Sequence, residues 1–427
     1  MIDRSHNLWW ASAGQRSPAP PLSGNQRCDV AVIGAGIMGT ATAQALAAAG
    51  VDVALVEADR IGSGASSTPG GFVVPHFSVG SPAAVIDRIG EVGERLVQAT
   101  GASAGHLFDK VRRLGIDCDA RQGGWYQPAH SARAMAGIEQ VAAQWQDRGF
   151  PVSLLSAEQT AEHTGVQGYK GSWFAPSGGT IHPLTYCRGL ADAAVAAGAR
   201  LFEQSPVRSM TPQGGRHLLN FATGALSAER VVVCTNGLSA ALVPAMTRSI
   251  IPLSVWQCAT APIPADERRH LFQNGEALSD TREHLFTYRF DRDGRLITGA
   301  LDAFGVSPRR QSDNMACRLR KMLRLKHLPL MTHRWIGTSS VSAPRYPATL
   351  FSRDGVLSAT ACNARGIALS TVVGDALASH LLTGETPPIP LLEAGDTRTA
   401  GLQRRLRRFY PHMGPILDWI DTRRAPA

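Results

Sequence analysis

One stretch near the N-terminus, Asp29 to Gly39, restricts the fold of this chain more than any other. Its apolar residues Val30 to Ile33 are typical of a buried strand, and three glycines follow in the spacing that joins such a strand to a helix. Gly34 permits the tight turn, Gly36 lets a diphosphate approach the backbone, and Gly39 lets helix and strand pack closely. The free N–H groups and the dipole of that helix then face an anion.

A second apolar strand, Val51 to Val56, ends at Glu57. A carboxylate at this position accepts hydrogen bonds from ribose hydroxyls and repels a 2′-phosphate. Strand, turn, helix, strand and acid together predict a site for an adenosine dinucleotide, which the glycines alone would not. The predicted contacts also include the residues beside the glycines and the acid, namely Ala35, Ile37, Met38 and Ala58.

Composition narrows the class of protein. The chain has 427 residues, enough for about two to three domain-sized units, and its net charge of +9 is spread along the sequence. Charge this diffuse indicates surface composition rather than a nucleic-acid site. Seven cysteines without a CxxC motif argue against zinc or any other metal site and against a disulfide framework, and favour a reducing cytoplasm. We expect neither a signal peptide nor a membrane span. The oligomeric state is not fixed by the sequence.

Strand–helix–strand patterns occur at both ends and near the middle of the chain, separated by alternating strands with a hairpin turn at Asp291 to Gly294. This order predicts an α/β protein with a discontinuous Rossmann-like domain and an inserted antiparallel-sheet substrate domain. The apolar Leu8-Trp9-Trp10 is expected to pack on the body of the protein. The predicted limits are 1–27 for an N-terminal arm, 28–82, 165–247 and 345–427 for the cofactor domain, and 83–164 and 248–344 for the substrate domain.

Five blocks of sequence together resemble one known family. They are Gly34 to Gly39 with Glu57; Gly62 to Gly71; Ile181-His182-Pro183 with the helix that follows; Val231 to Gly237; and Arg353-Asp354-Gly355 with Asn363 to Leu369. The chain resembles the FAD-dependent D-amino acid oxidase-like superfamily, with the γ-glutamylputrescine oxidase and glycine oxidase types most similar in pattern. The resemblance implies FAD, a roof of antiparallel strands over the flavin, and hydride transfer from the C–N bond of a small primary or secondary amine to flavin N5. The imine is then hydrolysed, and O2 or another acceptor takes the electrons.

The resemblance also assigns cofactor contacts. Residues 61–71, which we call the second glycine loop, are implied to follow the diphosphate toward the flavin ring. Thr68 stands where some relatives carry a histidine bonded to flavin, and no cysteine follows Trp335 at the spacing of sarcosine oxidases, so FAD is expected to be non-covalent. Val207 is implied to contact adenine, although a plain strand role is as reasonable. The other implied contacts are Gly64, Ala65, Ser66, Ser67, Gly70, Gly71, Thr235, Asn236, Gly237, Gly355, Asn363, Arg365, Gly366, Ile367 and Ala368.

Candidates on the substrate side are fewer. His76, just after the second glycine loop, can orient substrate or move a proton, or it is a pocket histidine without chemistry. Tyr288, Trp335 and Trp125 can form an aromatic wall for an amine cation, or pack in a core. Arg289 can clamp a carboxylate, or serve structure. Ser339 follows Trp335-Ile336-Gly337-Thr338, where glycine oxidase-like sequences carry an arginine, which argues against a simple α-amino acid substrate.

Two other functions stay open at this point. One domain of the superfamily acts on a modified tRNA base, and the basic segment Arg398 to Arg408 would suit RNA, although a surface helix is the simpler interpretation. The other alternative is a biosynthetic tailoring flavoenzyme with an unusual nitrogen-containing substrate.

Overall fold

The computed structural model describes residues 4–78, 80–238, 242–282, 286–301, 307–342, 346, 348–351, 355–360 and 363–390. The described helices are α1 (Leu8–Ser12), α2 (Ile37–Ala48), α3 (Pro82–Leu114), α4 (Ala132–Gln146), α5 (Ala157–Thr164), α6 (Pro183–Ala196), α7 (Pro244–Ser249), α8 (Ala265–Arg268), α9 (Pro308–Leu323) and α10 (Gly366–Thr383). The described strands are β1 (Gly24–Ile33), β2 (Val53–Val56), β3 (Phe72–Val73), β4 (Trp125–Pro128), β5 (Ser153–Leu155), β6 (Ser172–Ala175), β7 (Gly179–Thr180), β8 (Arg200–Phe202), β9 (Ser209–Gln213), β10 (Arg216–Asn220), β11 (Gly224–Val233), β12 (Ile250–Pro262), β13 (Ala277–Ser279), β14 (Thr287–Phe290), β15 (Arg295–Leu301), β16 (Met331–Ser342), β17 (Ala348–Phe351) and β18 (Val356–Thr360).

The first sheet carries the predicted dinucleotide motif. Its strands lie in the order β17-β18-β11-β1-β2-β8, and all but β17 of these run parallel. Val30 to Ile33 pair with β11 on one side and β2 on the other, and they are buried. Parallel strands covered on both faces are apolar throughout, which is why this segment shows no alternation. The predicted Rossmann-like architecture is confirmed.

Helices α2, α6 and α10 pack together on this sheet. A Cβ at Gly374 of α10 would lie 2.6 Å from the Met38 carbonyl oxygen, so the backbones of α2 and α10 approach closely. The Thr42 hydroxyl donates to the Gly374 carbonyl at 2.9 Å. Among the described helices only α10 is long and apolar enough to cross a membrane, and in this fold it packs against α2 and α3.

The second sheet has the order β16-β12-β15-β14-β13-β4-β6-β5 and is antiparallel except for the pair β4–β13. The turn Asp291 to Gly294 joins β14 to β15 as predicted, and Gly294 has a φ of +78°. One face of the sheet packs on α9. On the other face Trp335 and Ile297 contact Leu8 and Trp9 of α1, so the N-terminal arm packs on the body as expected.

One predicted domain limit does not match the strand pairing. The sequence places residues 165–247 in the cofactor domain, whereas β6 pairs with β4 and β5 of the second sheet. The first helix after β6 is α6, which packs on α2. We therefore propose that this segment of the cofactor domain begins near His182. The other limits remain predictions.

Candidate active site

The glycine turn has the geometry that a bound diphosphate requires. Gly34 follows β1 and has a φ of +99°, a conformation that residues with a side chain rarely adopt. A Cβ at Gly39 would lie 1.9 Å from the Gly34 carbonyl oxygen, which excludes any other residue there. Gly36 is the N-cap of α2 and provides no side chain to the first turn. The amino end of α2 therefore offers N–H groups to an anion.

Glu57 stands at the carboxyl end of β2, beside this turn. Its Oε2 accepts from the Ala35 N–H at 2.8 Å, and its Oε1 accepts from the Asp59 N–H at 3.0 Å. Burial raises the pKa of this carboxyl, against the lowering effect of those two bonds. Ser205 N–H donates to the Glu57 carbonyl at 2.8 Å. This bond brings the connection that contains Val207 beside the acid, and within the described residues the Val207 backbone forms no hydrogen bond.

The second glycine loop lies over the amino end of α2. The Ser66 hydroxyl accepts from the Ile37 N–H at 3.0 Å, and a Cβ at Gly36 would come within 2.9 Å of that hydroxyl. Gly64 precedes the short 3-10 turn Ala65–Ser67 that places Ser66 there. This bond joins residues 29 positions apart and brings the two glycine-rich segments together, as the resemblance implies.

Four consecutive carbonyl groups of this loop each accept a hydrogen bond from a side chain. Two donors lie at the N-terminal arm and two on the second sheet, so the loop is held between these two elements. The bonds are Asn7 Nδ2 to Ser67 O at 2.9 Å, Trp335 Nε1 to Thr68 O at 2.9 Å, Trp9 Nε1 to Pro69 O at 2.8 Å and Arg289 Nε to Gly70 O at 2.8 Å. We call these four donors the loop clamp. Asn7 was not among the predicted site residues.

The clamp changes the roles of two substrate-side candidates. Arg289 is 1% exposed, and its other two nitrogens donate to the carbonyls of Phe290 and Ile181, so its guanidinium is bound to backbone. Burial lowers its pKa to about 10. Trp335 is buried and bonded to the loop. We therefore propose that Arg289 and Trp335 position the second glycine loop. This role replaces the clamping of a carboxylate by Arg289 and the pocket wall at Trp335.

Tyr288 lies on the wrong face of its strand for a catalytic role. The neighbouring Arg289 reaches the second glycine loop, and successive side chains of a strand point to opposite faces, so Tyr288 points away from that loop. The Tyr288 hydroxyl bonds to the Tyr169 hydroxyl at 2.5 Å within the core against α9. The prediction of Tyr288 as a site residue is therefore corrected. Trp125 is likewise fully buried and donates to the Ser279 hydroxyl at 3.1 Å.

His76 is a substrate-side candidate whose ring nitrogens remain available for hydrogen bonding. It is 3% exposed and surrounded by the indoles of Trp173, Trp145 and Trp125, at centroid distances of 4.0, 4.9 and 5.5 Å. Neither ring nitrogen has a hydrogen-bond partner among the residues that the structure describes. Burial, and secondarily the charge of Arg365, hold its pKa well below the ordinary value, so the ring is neutral.

The amino end of α10 lies near β16. Asn363 and Ala364 have φ values of +36° and +63°, and the Ala364 N–H donates to the Ser339 hydroxyl at 3.0 Å. Arg365 precedes the helix, donates to the Phe77 carbonyl at 2.6 Å and lies 4.8 Å from the Trp125 ring. Among the described residues Arg365 forms no ion pair. Gly366, Ile367 and Ala368 form the first turn of α10, so their N–H groups lie at its amino end.

Two further groups of predicted cofactor contacts, Thr235 to Gly237 and Gly355, lie in different parts of the fold. Thr235 to Gly237 follow β11 beside the first turn, because a Cβ at Gly34 would lie 3.1 Å from both the Cys234 carbonyl oxygen and Thr235 Cγ2. Gly355 instead lies at the amino end of β18, where its carbonyl accepts from the Val231 N–H at 3.3 Å. α10 follows the opposite end of β18, so Gly355 is a strand length away from the other contacts. We remove it from the predicted cofactor site.

These donors suit FAD. The amino end of α2, the acid beside it and the second glycine loop fit an adenosine diphosphate, and the amino end of α10 fits the electron-rich edge of a flavin. Over the described part of the chain, no cluster of three or more His, Cys, Asp or Glu side chains is placed to hold a metal ion.

Comparisons with known proteins place the chain among flavoenzymes. The chain is 30% identical to γ-glutamylputrescine oxidoreductase of Escherichia coli, over 81% of this chain and 82% of that protein. Glycine oxidase from Geobacillus kaustophilus has the same fold, with a TM-score of 0.72 at 23% identity over 86% of this chain and 99% of that one. A tRNA 5-methylaminomethyl-2-thiouridine biosynthesis protein of Nitrosospira multiformis is 30% identical over 58% of this chain but only 38% of its own length. Residues 29–380 match the profile of the DAO family, FAD dependent oxidoreductase, and the chain belongs to this family of FAD-dependent enzymes.

Proposed function

We propose that this enzyme oxidises the C–N bond of a primary or secondary amine, using FAD. The observation that carries the proposal is the match over more than four fifths of both chains to an oxidoreductase named for γ-glutamylputrescine. The shared fold with glycine oxidase supports the same class of reaction. Bound FAD supplies the acceptor for the hydride that leaves the carbon next to nitrogen.

The proposed cofactor contacts follow the geometry of the two glycine segments and α10. We assign the diphosphate to the first turn and the second loop, the ribose and adenine to Glu57 with Val207, and the flavin to the amino end of α10. The full set is Gly34, Ala35, Gly36, Ile37, Met38, Gly39, Glu57, Ala58, Gly64, Ala65, Ser66, Ser67, Thr68, Gly70, Gly71, Val207, Thr235, Asn236, Gly237, Asn363, Arg365, Gly366, Ile367 and Ala368. We propose that FAD is non-covalent, since Thr68 offers no nucleophile of the kind that relatives use.

Three features of the chain would assist the chemistry. The positive end of α10 favours the negative charge that a reduced flavin carries. A dry pocket lowers the pKa of a bound amine, and the amine must be neutral before hydride leaves. His76 is neutral and its ring nitrogens have no partner among the described residues, so the ring can orient a substrate by hydrogen bonding.

The described residues favour an amine over a simple α-amino acid. Ser339 stands at the position where glycine oxidase-like sequences carry an arginine, and its hydroxyl bonds to Ala364. Arg289, the other candidate clamp, is bound to backbone carbonyls. At neither position 339 nor position 289 is a cationic side chain free to pair with a carboxylate on the reacting carbon.

The tRNA alternative has less support. The RNA-modifying relative shares only part of its length with this chain, and the basic segment Arg398 to Arg408 lies outside the described residues. A tailoring enzyme with an unusual nitrogen-containing substrate differs from our proposal only in the substrate. A cytoplasmic location remains a prediction, supported by cysteines that are free wherever the structure describes them.

Anaerobic titration of the purified holoenzyme with a panel of amines tests the proposal. We expect bleaching of the flavin absorbance by primary or secondary amines and no bleaching by the corresponding alcohols. Reoxidation by O2, compared with a dye acceptor, then distinguishes an oxidase from a dehydrogenase. A steep loss of RNA binding with salt, together with amines that never bleach the flavin, would favour the tRNA alternative instead.

A further inference from the structure

A half-open cavity of about 510 Å³ lies between α4 and strands β4 and β6, next to Arg365. Its volume is in the range of small-molecule sites. Trp145, Trp173 and Ile138 give it flat apolar walls. Because Arg365 immediately precedes α10, the cavity adjoins the proposed flavin end of the active site.

Two buried side chains of the cavity wall have unused hydrogen-bonding groups. His76 and Trp173 are each 3% exposed, and within the described part of the chain neither the His76 ring nitrogens nor Trp173 Nε1 has a hydrogen-bond partner. An indole N–H only donates, and a neutral imidazole offers one donor and one acceptor. Since buried polar groups in folded proteins are almost always paired, these groups point to a ligand that brings acceptor atoms.

The charges around the cavity favour the same kind of ligand. Arg133 and Arg365 line it, and no acidic residue is among the described residues that do. Arg133 is exposed in the first turn of α4, after the N-cap Ser131, and has no ion pair among the described residues. The helix dipole disfavours a cation in that position. An anion bound there is favoured by the dipole and by the charge of Arg133.

We propose that this cavity binds a carboxylate at the end of the substrate remote from the reacting amine. Arg133 pairs with the carboxylate, Trp173 donates to it, and the connecting chain lies along the wall formed by Trp145 and Ile138. This inference rests on the proposed amine oxidation and narrows its substrate class to amines that carry a carboxylate several bonds away from nitrogen.

Matched substrates test the proposal on the holoenzyme. A series of ω-amino acids, from γ-aminobutyrate to ε-aminocaproate and longer, is compared with alkylamines of equal chain length by kcat/KM for flavin reduction. We expect the best amino acid to exceed its alkylamine by about tenfold or more, the value of one charge-assisted hydrogen bond. Arg133→Met and Trp173→Phe should reduce this preference while the rate with the alkylamine stays the same.

Arg309→Met is the control variant. Arg309 also follows a serine N-cap by two residues, is exposed, and lines no part of the cavity, so the preference should be unchanged. Calorimetry with hexanoate measures the site without turnover, and we expect binding in the wild type and the Arg309 variant but not in Arg133→Met. Equal kcat/KM for both substrate types, or hexanoate binding that Arg133→Met leaves intact, would overturn the carboxylate site. If no amine of either type reduces the flavin, the proposed function fails, and the calorimetry still decides the carboxylate site.

Discussion

Replacing Trp335 with phenylalanine tests whether the loop clamp positions the cofactor. The Trp335 indole is 3% exposed, and it donates to the Thr68 carbonyl at 2.9 Å. Phenylalanine keeps a ring between sheet and loop but leaves that carbonyl without its donor. A buried acceptor that loses its partner costs about 1–3 kcal/mol. If this cost falls on the FAD-binding conformation of the loop, the Kd for FAD rises about 5- to 150-fold.

The assay is a titration of deflavinated protein with FAD, followed by the quenching of flavin fluorescence. Trp173→Phe is the matched control, because Trp173 is equally buried and its Nε1 donates to no described atom. We expect weaker FAD binding by Trp335→Phe only, with an unchanged far-UV circular dichroism spectrum for both variants. Equal Kd values for Trp335→Phe, Trp173→Phe and the wild type would refute the reasoning.

Three further predictions concern the fold and the pH. Gly39→Ala should abolish FAD binding in the same titration, because its Cβ meets the Gly34 carbonyl at 1.9 Å, whereas Gly105→Ala in α3, whose Cβ would have no atom within 4 Å, should bind FAD normally. Tyr288→Phe should leave turnover per bound FAD unchanged in a steady-state assay, since its hydroxyl lies in the core against α9; a large loss of turnover would restore it to the active site. Burial lowers the pKa of His182 from 6.5 to about 3, so the unfolded chain takes up a proton as pH falls and the folded chain does not. The unfolding free energy of the wild type, from urea titrations, should therefore decrease between pH 8 and pH 5 by roughly 2 kcal/mol more than that of His182→Asn, and parallel pH profiles would contradict this.

The elements around the site that the sequence predicted correctly are those set by local geometry. The turn at Gly34 and the acid at Glu57 belong to one short strand–helix–strand unit, in which glycine conformations and apolar runs are visible residue by residue. Helix α10 could be predicted from the sequence for the same reason. These signals depend on neighbours in sequence, so no tertiary contact had to be known.

The loop clamp could not be predicted in this way. Asn7 and Trp9 reach a loop about 60 residues further along the chain, and Arg289 reaches it from 219 residues away. No local pattern encodes such a pairing. The apolar Leu8-Trp9-Trp10 indicated only that the arm would be buried.

Strand faces were the other source of error. Tyr288 and Arg289 are adjacent, and a strand sends adjacent side chains to opposite faces. All four residues of β14 are buried, so the strand lacks the alternation that would have shown which face meets the cofactor domain. Gly355 was misplaced for a related reason, because its sequence block spans β18 and the two ends of a strand lie far apart.

The central claim, that a hydride leaves the carbon next to nitrogen for bound FAD, is tested most directly by anaerobic stopped-flow reduction with a deuterated amine. The best amine from the panel is compared with the same compound deuterated at that carbon, and the carbonyl product is trapped and counted. We expect slower bleaching with the deuterated amine and one carbonyl product per flavin reduced. A flavin that every amine leaves oxidised, while another class of donor bleaches it, would contradict the account.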